Sequence, residues 1–356
     1  MKLLERLCLT PAIPGREERI RELILKETKG LFDETHVDAM GSLVGVRKPR
    51  MPRKARADKK PATRSNSAPT RIMLAAHMDQ IGFMVRHIES SGFVRIAPTG
   101  GFDPRNLFAR LVTICTDHGD LPGVLNPGVK PVHIASEEDK KKTPELNDFV
   151  IDLGLSADQV KDKVQIGDMV VLQAPFVRIG KTIVSQCLDN RVASWIAIEA
   201  LRKTPHHACE IHCAFTVQEE VGLRGAGTAA YAIKPDIGIA IDTTLAVDTP
   251  GVSDDQRVTK LGDGAGITLM DASMISDLSV ARHFESLAKK HKIKHQRSVL
   301  PRGGTDAGAM QRAGGGARVF TLSCPTRYIH TVTEMVHEDD LHACRDVLAA
   351  YLADVG

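Results

Sequence analysis

The chain has 356 residues, 42% of them apolar and 26% charged, which is ordinary globular composition with room for two domains. Its ten Phe, three Tyr and one Trp are too few to build the aromatic platforms that single-stranded nucleic acids stack on. No apolar run approaches the roughly 18 residues of a membrane span, and Glu5 and Arg6 interrupt the opening MKLLERLCLT, which argues against a signal peptide.

Seven scattered cysteines without a CxxC pair exclude a disulfide framework or a thiolate zinc site, and they fit the reduced thiols of a cytoplasm. The net charge of +3 is unevenly placed. Nine basic residues against one acid lie between Arg47 and Arg64, a local +8 that leaves the remainder of the chain mildly acidic. That stretch is rich in Pro, Ser and Ala and poor in large apolar residues. Residues 48–70 therefore read as a basic flexible loop, a solvated linker more than a nucleic-acid contact.

In chain order, a helix follows Pro14-Gly15, with Ile20, Leu23 and Ile24 on one face. Four apolar runs, 72–76, 211–217, 237–241 and 319–322, read as buried strands. After Asp189, the spacing of Val192, Trp195, Ile196 and Ala200 predicts a second helix. Residues 86–175 differ: the pieces FVRIA, LVTIC, FVIDL and MVVLQ alternate with turn signals, and helical patterning is confined to 156–164. The expected fold is α/β, an open mixed sheet flanked by helices, with a small inserted β-barrel-like domain. The division is 1–85 with 176–356 for the sheet, and 86–175 for the insertion.

The chemistry collects at the strand ends. Open α/β sheets bind ligands beyond the carboxyl ends of their strands. Here the four runs lead to His77-Met78-Asp79, to Gln218-Glu219-Glu220, to Asp242 and, after a turn, to His330, while Asp189 precedes the Trp195 helix. Taken singly, Asp189 is a natural helix cap, Glu219-Glu220 a solvated acidic pair and His330 a loop histidine. Together they form an oxygen-rich, imidazole-containing set without thiolates, suited to Zn²⁺, Co²⁺ or Mn²⁺. A carboxylate shared between two ions, with a His and a carboxylate on each side, would hold a pair about 3.5–4 Å apart. In His77-x-Asp79 the alternation puts both side chains on one side, so Asp79 is placed to accept the second imidazole N–H. In Glu219-Glu220 one carboxylate can bind metal while the other takes a proton.

Other histidines carry no such context. His206-His207 reads as a polar turn, and His291 and His295, among lysines, as an exposed helix end. Gly303-Gly304-Thr305-Asp306 is a glycine-rich turn without the ending of a P-loop, and no GxSxG elbow is present.

The segments AAHMDQIGFMV, CLDNRVASW, TVQEEVGLRGA, AIDTT, PRGGTDAGAM and RYIHT occur in the order typical of one family. The chain resembles the tetrahedral, dodecameric di-metal aminopeptidases, whose members carry glutamyl aminopeptidase or endoglucanase-like names. The resemblance spans nearly the whole chain. It implies that His77 and Asp242 bind one divalent ion and Glu220 and His330 the other, with Asp189 bridging. Glu219 would be the general base, Asp79 the outer partner of His77, and the inserted domain the dimerisation element. Two divalent ions per subunit (Zn, Co or Mn), short peptide substrates, and a cytoplasmic homo-oligomer built from dimers up to a dodecamer follow from the same resemblance. The family commonly has Glu where Gln80 stands. An N-acyl amino acid deacylase or a carboxypeptidase shares this ligand pattern. A glycosidase does not, since it needs two opposed carboxylates rather than a ring of metal ligands.

Overall fold

Four consecutive parallel neighbours form the centre of the main sheet, in the order Glu210–Thr216, Arg71–His77, Ile237–Leu245 and Arg318–Arg327. A computed structural model describes residues 1–51 and 68–355. Antiparallel strands extend the sheet on both sides: Leu43–Arg47 and Glu34–Val37 at one edge, Glu334–His337, Thr182–Ser185 and Val177–Ile179 at the other. Ala265–Met270 pairs with Arg318–Arg327 and with His295–Val299 off this path, making eleven strands among the described residues. The four apolar runs are buried because helices cover both faces, so they read as continuous rather than alternating apolar stretches.

One face carries the larger core. There the helices Lys2–Cys8, Leu188–Lys203, Leu278–Lys290 and Glu338–Asp354 bring Trp195, Phe284 and Tyr351 against Phe215 and Phe320. The helix Leu188–Lys203 is buried on nearly every side, which explains its all-round apolar sequence. The other face is built from small residues. Helices Arg224–Ile233 and Asp306–Arg312 lay Ala226, Ala229, Ala230 and Met310 over Met73, Ala75 and Ala214. Gly225 permits this approach: a Cβ there would stand 2.5 Å from the carbonyl oxygen of Val217.

The four predicted β-like pieces close, together with Gly82–Ile88, which begins before residue 86, and Gly119–Pro127, into a six-stranded barrel in the order Gly82–Ile88, Val94–Thr99, Phe149–Asp152, Gly119–Pro127, Arg110–Thr116 and Met169–Leu172. Phe83, Ile96, Ile114, Leu125 and Phe149 fill it. The helix Ala157–Lys163, capped by Ser156, matches the helical patterning seen there. All seven cysteines are buried and unpaired.

Residues 52–67, most of the basic segment, lie outside the described residues. The basic residue just before the loop belongs to the folded core. Arg47 ends a buried strand and is only 2% exposed, its guanidinium donating to the carbonyl oxygens of Leu201 (2.7 Å) and Thr204 (2.9 Å). These lie at the C-terminus of the helix Leu188–Lys203, where the helix dipole favours a cation. Arg50 pairs with Asp33 and bridges, through its backbone, to His207. Two of the histidines depart from the sequence reading. His207 is buried, its Nδ1 2.8 Å from the Cys209 carbonyl, and His295 opens a strand instead of ending a helix.

Arg47→Met is expected to destabilise the fold by about 2 kcal/mol, the loss of charge-assisted donors to two helix-end carbonyls being only partly offset by relief of the buried charge. Denaturant midpoints measured in the presence of chelator read this directly. A midpoint unchanged from wild type would mean the two hydrogen bonds carry no net stability.

Candidate active site and metal centre

The ladder between Arg71–His77 and Ile237–Leu245 runs from Ile72↔Ile237 to Ala75↔Ala240 and then stops. The strands separate two residues before His77 and Asp242, opening the crevice into which both side chains project. On the other flank of the first strand, Thr216 stays in register with His77, so the chain leaving Thr216 brings Glu219 and Glu220 to the same rim. His330 arrives from the turn after Arg318–Arg327, and Asp189 from the start of the Leu188–Lys203 helix.

Asp189 does not cap that helix. Its backbone is non-helical, its peptide to Asn190 is cis, and its carboxylate points into the cavity. One oxygen, Oδ1, lies 3.4 Å from His77 Nε2, and the other, Oδ2, lies 3.7 Å from His330 Nε2. Asp242 Oδ1 is 3.9 Å from His77 Nε2, and Glu220 Oε2 is 3.3 Å from His330 Nε2. Glu219 Oε2 stands 3.8 Å from His77 Nε2. Three sets of donor atoms, His77–Asp189–Asp242, His77–Glu219–Glu220 and Asp189–Glu220–His330, each gather within 4.8 Å.

This donor set fits divalent ions. Donors bound at 2.0–2.2 Å to one tetrahedral ion stand roughly 3.3 Å apart, close to the separations found, which are longer than ordinary hydrogen bonds. Among the described residues, Asp189 Oδ1 is buried with no hydrogen-bond partner, an arrangement that costs free energy unless something else engages the oxygen. Imidazole and hard carboxylate donors together suit Zn²⁺, Co²⁺ or Mn²⁺.

The electrostatics agree. Burial pushes the carboxyls of Glu219 and Asp242 well above the ordinary range, and each is raised further by neighbouring acids. Glu220 is raised by burial too. For Asp189, burial works upward, but His77 and His330 outweigh it and hold the group low. Burial would lower the histidines, yet Glu219 and Asp189 raise His77 well above normal, and Glu220 brings His330 to about 10. The cluster is thus an excess of buried negative charge that cations would neutralise.

Three further buried carboxylates hold the backbone of the site. Asp79 accepts the N–H groups of Glu219 (3.1 Å) and Glu220 (3.0 Å). With both of its oxygens so engaged, the Nδ1 of His77 meets the carbonyl oxygen of Asp79 at 3.0 Å, and the carboxylate lies farther off at 3.6 Å. The outer partner of His77 is therefore the Asp79 main chain, where the sequence spacing pointed to its side chain. Glu17 accepts from Gly15 (2.9 Å) and Gln218 (3.1 Å), and Gln218 sits in the left-handed region at φ 56°. Burial, aided by Asp79, brings Glu17 up to about 7. Glu334 accepts from Asp189 (2.9 Å) and His330 (2.8 Å). Sequence patterning did not single out Glu17 or Glu334; the only local signals were the turn before Glu17 and the four-residue spacing from His330 to Glu334.

Gln80 is buried and accepts from Arg191 at 3.1 Å; Arg191 also donates to the Met78 carbonyl. Asp306 at the end of the glycine-rich turn is buried behind the site, bonded to the Thr216 hydroxyl and raised by burial to about 6. Gly303 and Gly304 line a cavity of about 510 Å³ together with the two histidines, Asp189, Asp242, Glu219 and Glu220. Leu223, Leu245, Leu300 and Ile329 form its apolar wall, and Arg302 lies on its border.

The rim of this mixed sheet gathers two histidines and four carboxylates, a set that fits a metal-dependent hydrolase. Comparison with known proteins narrows the class. The sequence matches the M42 glutamyl aminopeptidase family over residues 60–347. The lysyl aminopeptidase of Pyrococcus furiosus is 32% identical over 346 residues, 96% of this chain and 93% of that protein. The aminopeptidase APDkam598 from the archaeon Desulfurococcus kamchatkensis superposes with a TM-score of 0.90 at 33% identity, covering 99% of this chain and 94% of that one. The Pyrococcus horikoshii TET1 peptidase, which can assemble into a tetrahedron or a large octahedral shell, gives 0.85 at 31% identity over 99% of both chains. The chain belongs to the M42 glutamyl aminopeptidase family, enzymes that hydrolyse peptide bonds. Among the described residues, no helix is long and apolar enough to cross a membrane.

Proposed function

We propose that this protein is a two-metal aminopeptidase that removes N-terminal residues from short peptides. The observation that carries the reading is Asp189, whose two oxygens face a different histidine each. In this reading His77 and Asp242 hold one ion, Glu220 and His330 the other, and Asp189 is shared. Bound divalent ions supply the positive charge that acidifies water and polarises the scissile carbonyl.

The chain's own groups do the rest. In this reading Glu219 is kept as the base although its carboxylate also falls in one of the three donor sets; it faces the cavity and has its backbone fixed by Asp79. Its burial raises its affinity for protons, which suits a group that takes a proton from the attacking water and returns it to the leaving amine. In this reading the free α-amino group of the substrate would be anchored at one of the two ion positions, which would account for exopeptidase action. The apolar wall receives the first side chain. Leu111 and Val124 are register partners on the barrel and are both exposed, as is Phe108. This supports a homo-oligomer in which the barrel mediates dimerisation, in line with the assemblies of the Pyrococcus horikoshii relative.

The test is hydrolysis of X-para-nitroanilides beside their N-acetylated forms, by protein stripped and then reloaded with Zn²⁺, Co²⁺ or Mn²⁺. Cleavage of free-amine substrates only, restored by metal, supports the reading. Cleavage of acetylated substrates alone points to a deacylase. Metal binding itself should expel protons, because Glu219, Glu220, Asp242 and both histidines bind them more tightly than usual in the metal-free site. Apparent affinity is therefore expected to fall as pH is lowered from 8 towards 6. Calorimetry in buffers of different ionisation enthalpy counts the protons, and a heat independent of buffer would contradict it.

A further inference from the structure

The ligands of the two ion positions are not supported alike. His77 terminates a buried strand and Asp242 lies within another, so hydrogen-bonded ladders fix their backbones. Glu220 is held by Asp79. His330 has no ladder: it lies in a turn, its backbone is in the left-handed region at φ 64°, and Tyr328 two residues earlier is at φ 58°. Residues other than glycine adopt that region only when their surroundings impose it.

The imposing contact is Glu334. Its Oε1 accepts the His330 N–H and its Oε2 accepts the Asp189 N–H, while Glu334 itself is 2% exposed. It stands in register with Ser185 on the neighbouring strand, four residues before Asp189, and four residues after His330. One side chain thus closes two loops and joins the shared ligand to the ligand farthest from the sheet.

Resting on the two-metal reading above, we infer that Glu334 is a positioning residue that sets the separation of Asp189 and His330, and so the affinity of the ion these two share with Glu220. It touches no reacting atom. Asp189 has a second anchor, because the Asn190 side chain donates to the Ile241 carbonyl at 3.0 Å. Loss of Glu334 therefore falls on the His330 side and spares the ion held by His77 and Asp242. The carboxylate is required as such. A Gln in its place presents one acceptor and one N–H₂ to two N–H groups, leaving one of them opposed by a donor.

The experiment titrates Co²⁺ into chelator-stripped wild type and Glu334→Gln, by calorimetry and by Co²⁺ absorption. Wild type is expected to bind two equivalents. In the variant one equivalent keeps its affinity within about twofold, and the other weakens about 10–100-fold, the usual consequence of removing an outer hydrogen-bond partner. Excess Co²⁺ then restores kcat with little change in KM. Two equivalents bound as in wild type would overturn the inference, as would equal weakening of both, which marks a merely structural role. Wild type binding fewer than two equivalents would instead overturn the two-metal reading. If Glu334→Gln does not fold, Glu334→Asp, which keeps the charge but reaches one amide only, is titrated against the same criteria.

Discussion

Glu219→Gln is expected to lower kcat by about 10²–10⁴-fold, the usual worth of a positioned general base, with both ions retained. Gln fills the same volume, and its backbone N–H still bonds to Asp79. The proposed ligands His77, Asp189, Glu220, Asp242 and His330 are untouched, so metal content by mass spectrometry should equal that of wild type. Only the capacity to accept a proton is removed. In wild type the base must be unprotonated, so activity falls as pH drops through its pKa; that acidic limb should be missing from the variant's residual rate. The same substitution is expected to stabilise the metal-free protein. Burial, with Asp242 and Glu220 close by, raises the Glu219 pKa in the folded state. An acid so raised costs stability at every pH above its unfolded value of about 4.3. Metal-free Glu219→Gln should therefore melt at a higher temperature than metal-free wild type at pH 8. Near-normal turnover, or loss of metal, would remove Glu219 from the role of base.

Much of this arrangement is legible in the sequence because it rests on strand ends. Continuous apolar runs fix where buried parallel strands lie, and sheet chirality brings their carboxyl ends to one rim. His77, Glu219, Glu220 and Asp242 could therefore be placed from local pattern, and short alternating pieces announced the barrel. Asp189 is ambiguous locally, since an acid before a helix is also a cap, and enters the set only through the collective pattern and the resemblance. Other features escaped. Glu17 and Glu334 act through backbone amides brought near by other parts of the fold, in the case of Glu17 and Gln218 some two hundred residues away. No periodicity encodes such contacts. Arg47 shows the converse case. It opens the run of basic residues in the sequence, yet it completes a strand and caps a helix from within the core. Charge runs record composition, whereas burial depends on which element the run begins in.

Asp189→Asn is expected to have the largest effect on metal binding, weakening at least one ion by more than the 10–100-fold that an outer-partner change costs. Asn retains one oxygen and replaces the other by N–H₂, which cannot ligate. Whichever histidine the nitrogen faces, one of the two ion positions loses its shared ligand. The cluster also loses the carboxylate that His77 and His330 hold low, so both imidazoles lose part of what raises them. Activity should fall below that of Glu219→Gln, and metal content should fall with it, which separates loss of a ligand from loss of a base. Thermal unfolding gives an independent reading. Ions that bind only the folded state stabilise it by RT ln(1 + [L]/Kd), so wild type should melt higher as Co²⁺ is added. A tenfold rise in Kd removes about 1.4 kcal/mol of that gain at saturating metal, so the increment should shrink steeply in Asp189→Asn and remain whole in Glu219→Gln. Equal increments in all three proteins would mean that the ions bind without Asp189, and the shared-ligand arrangement would have to be abandoned.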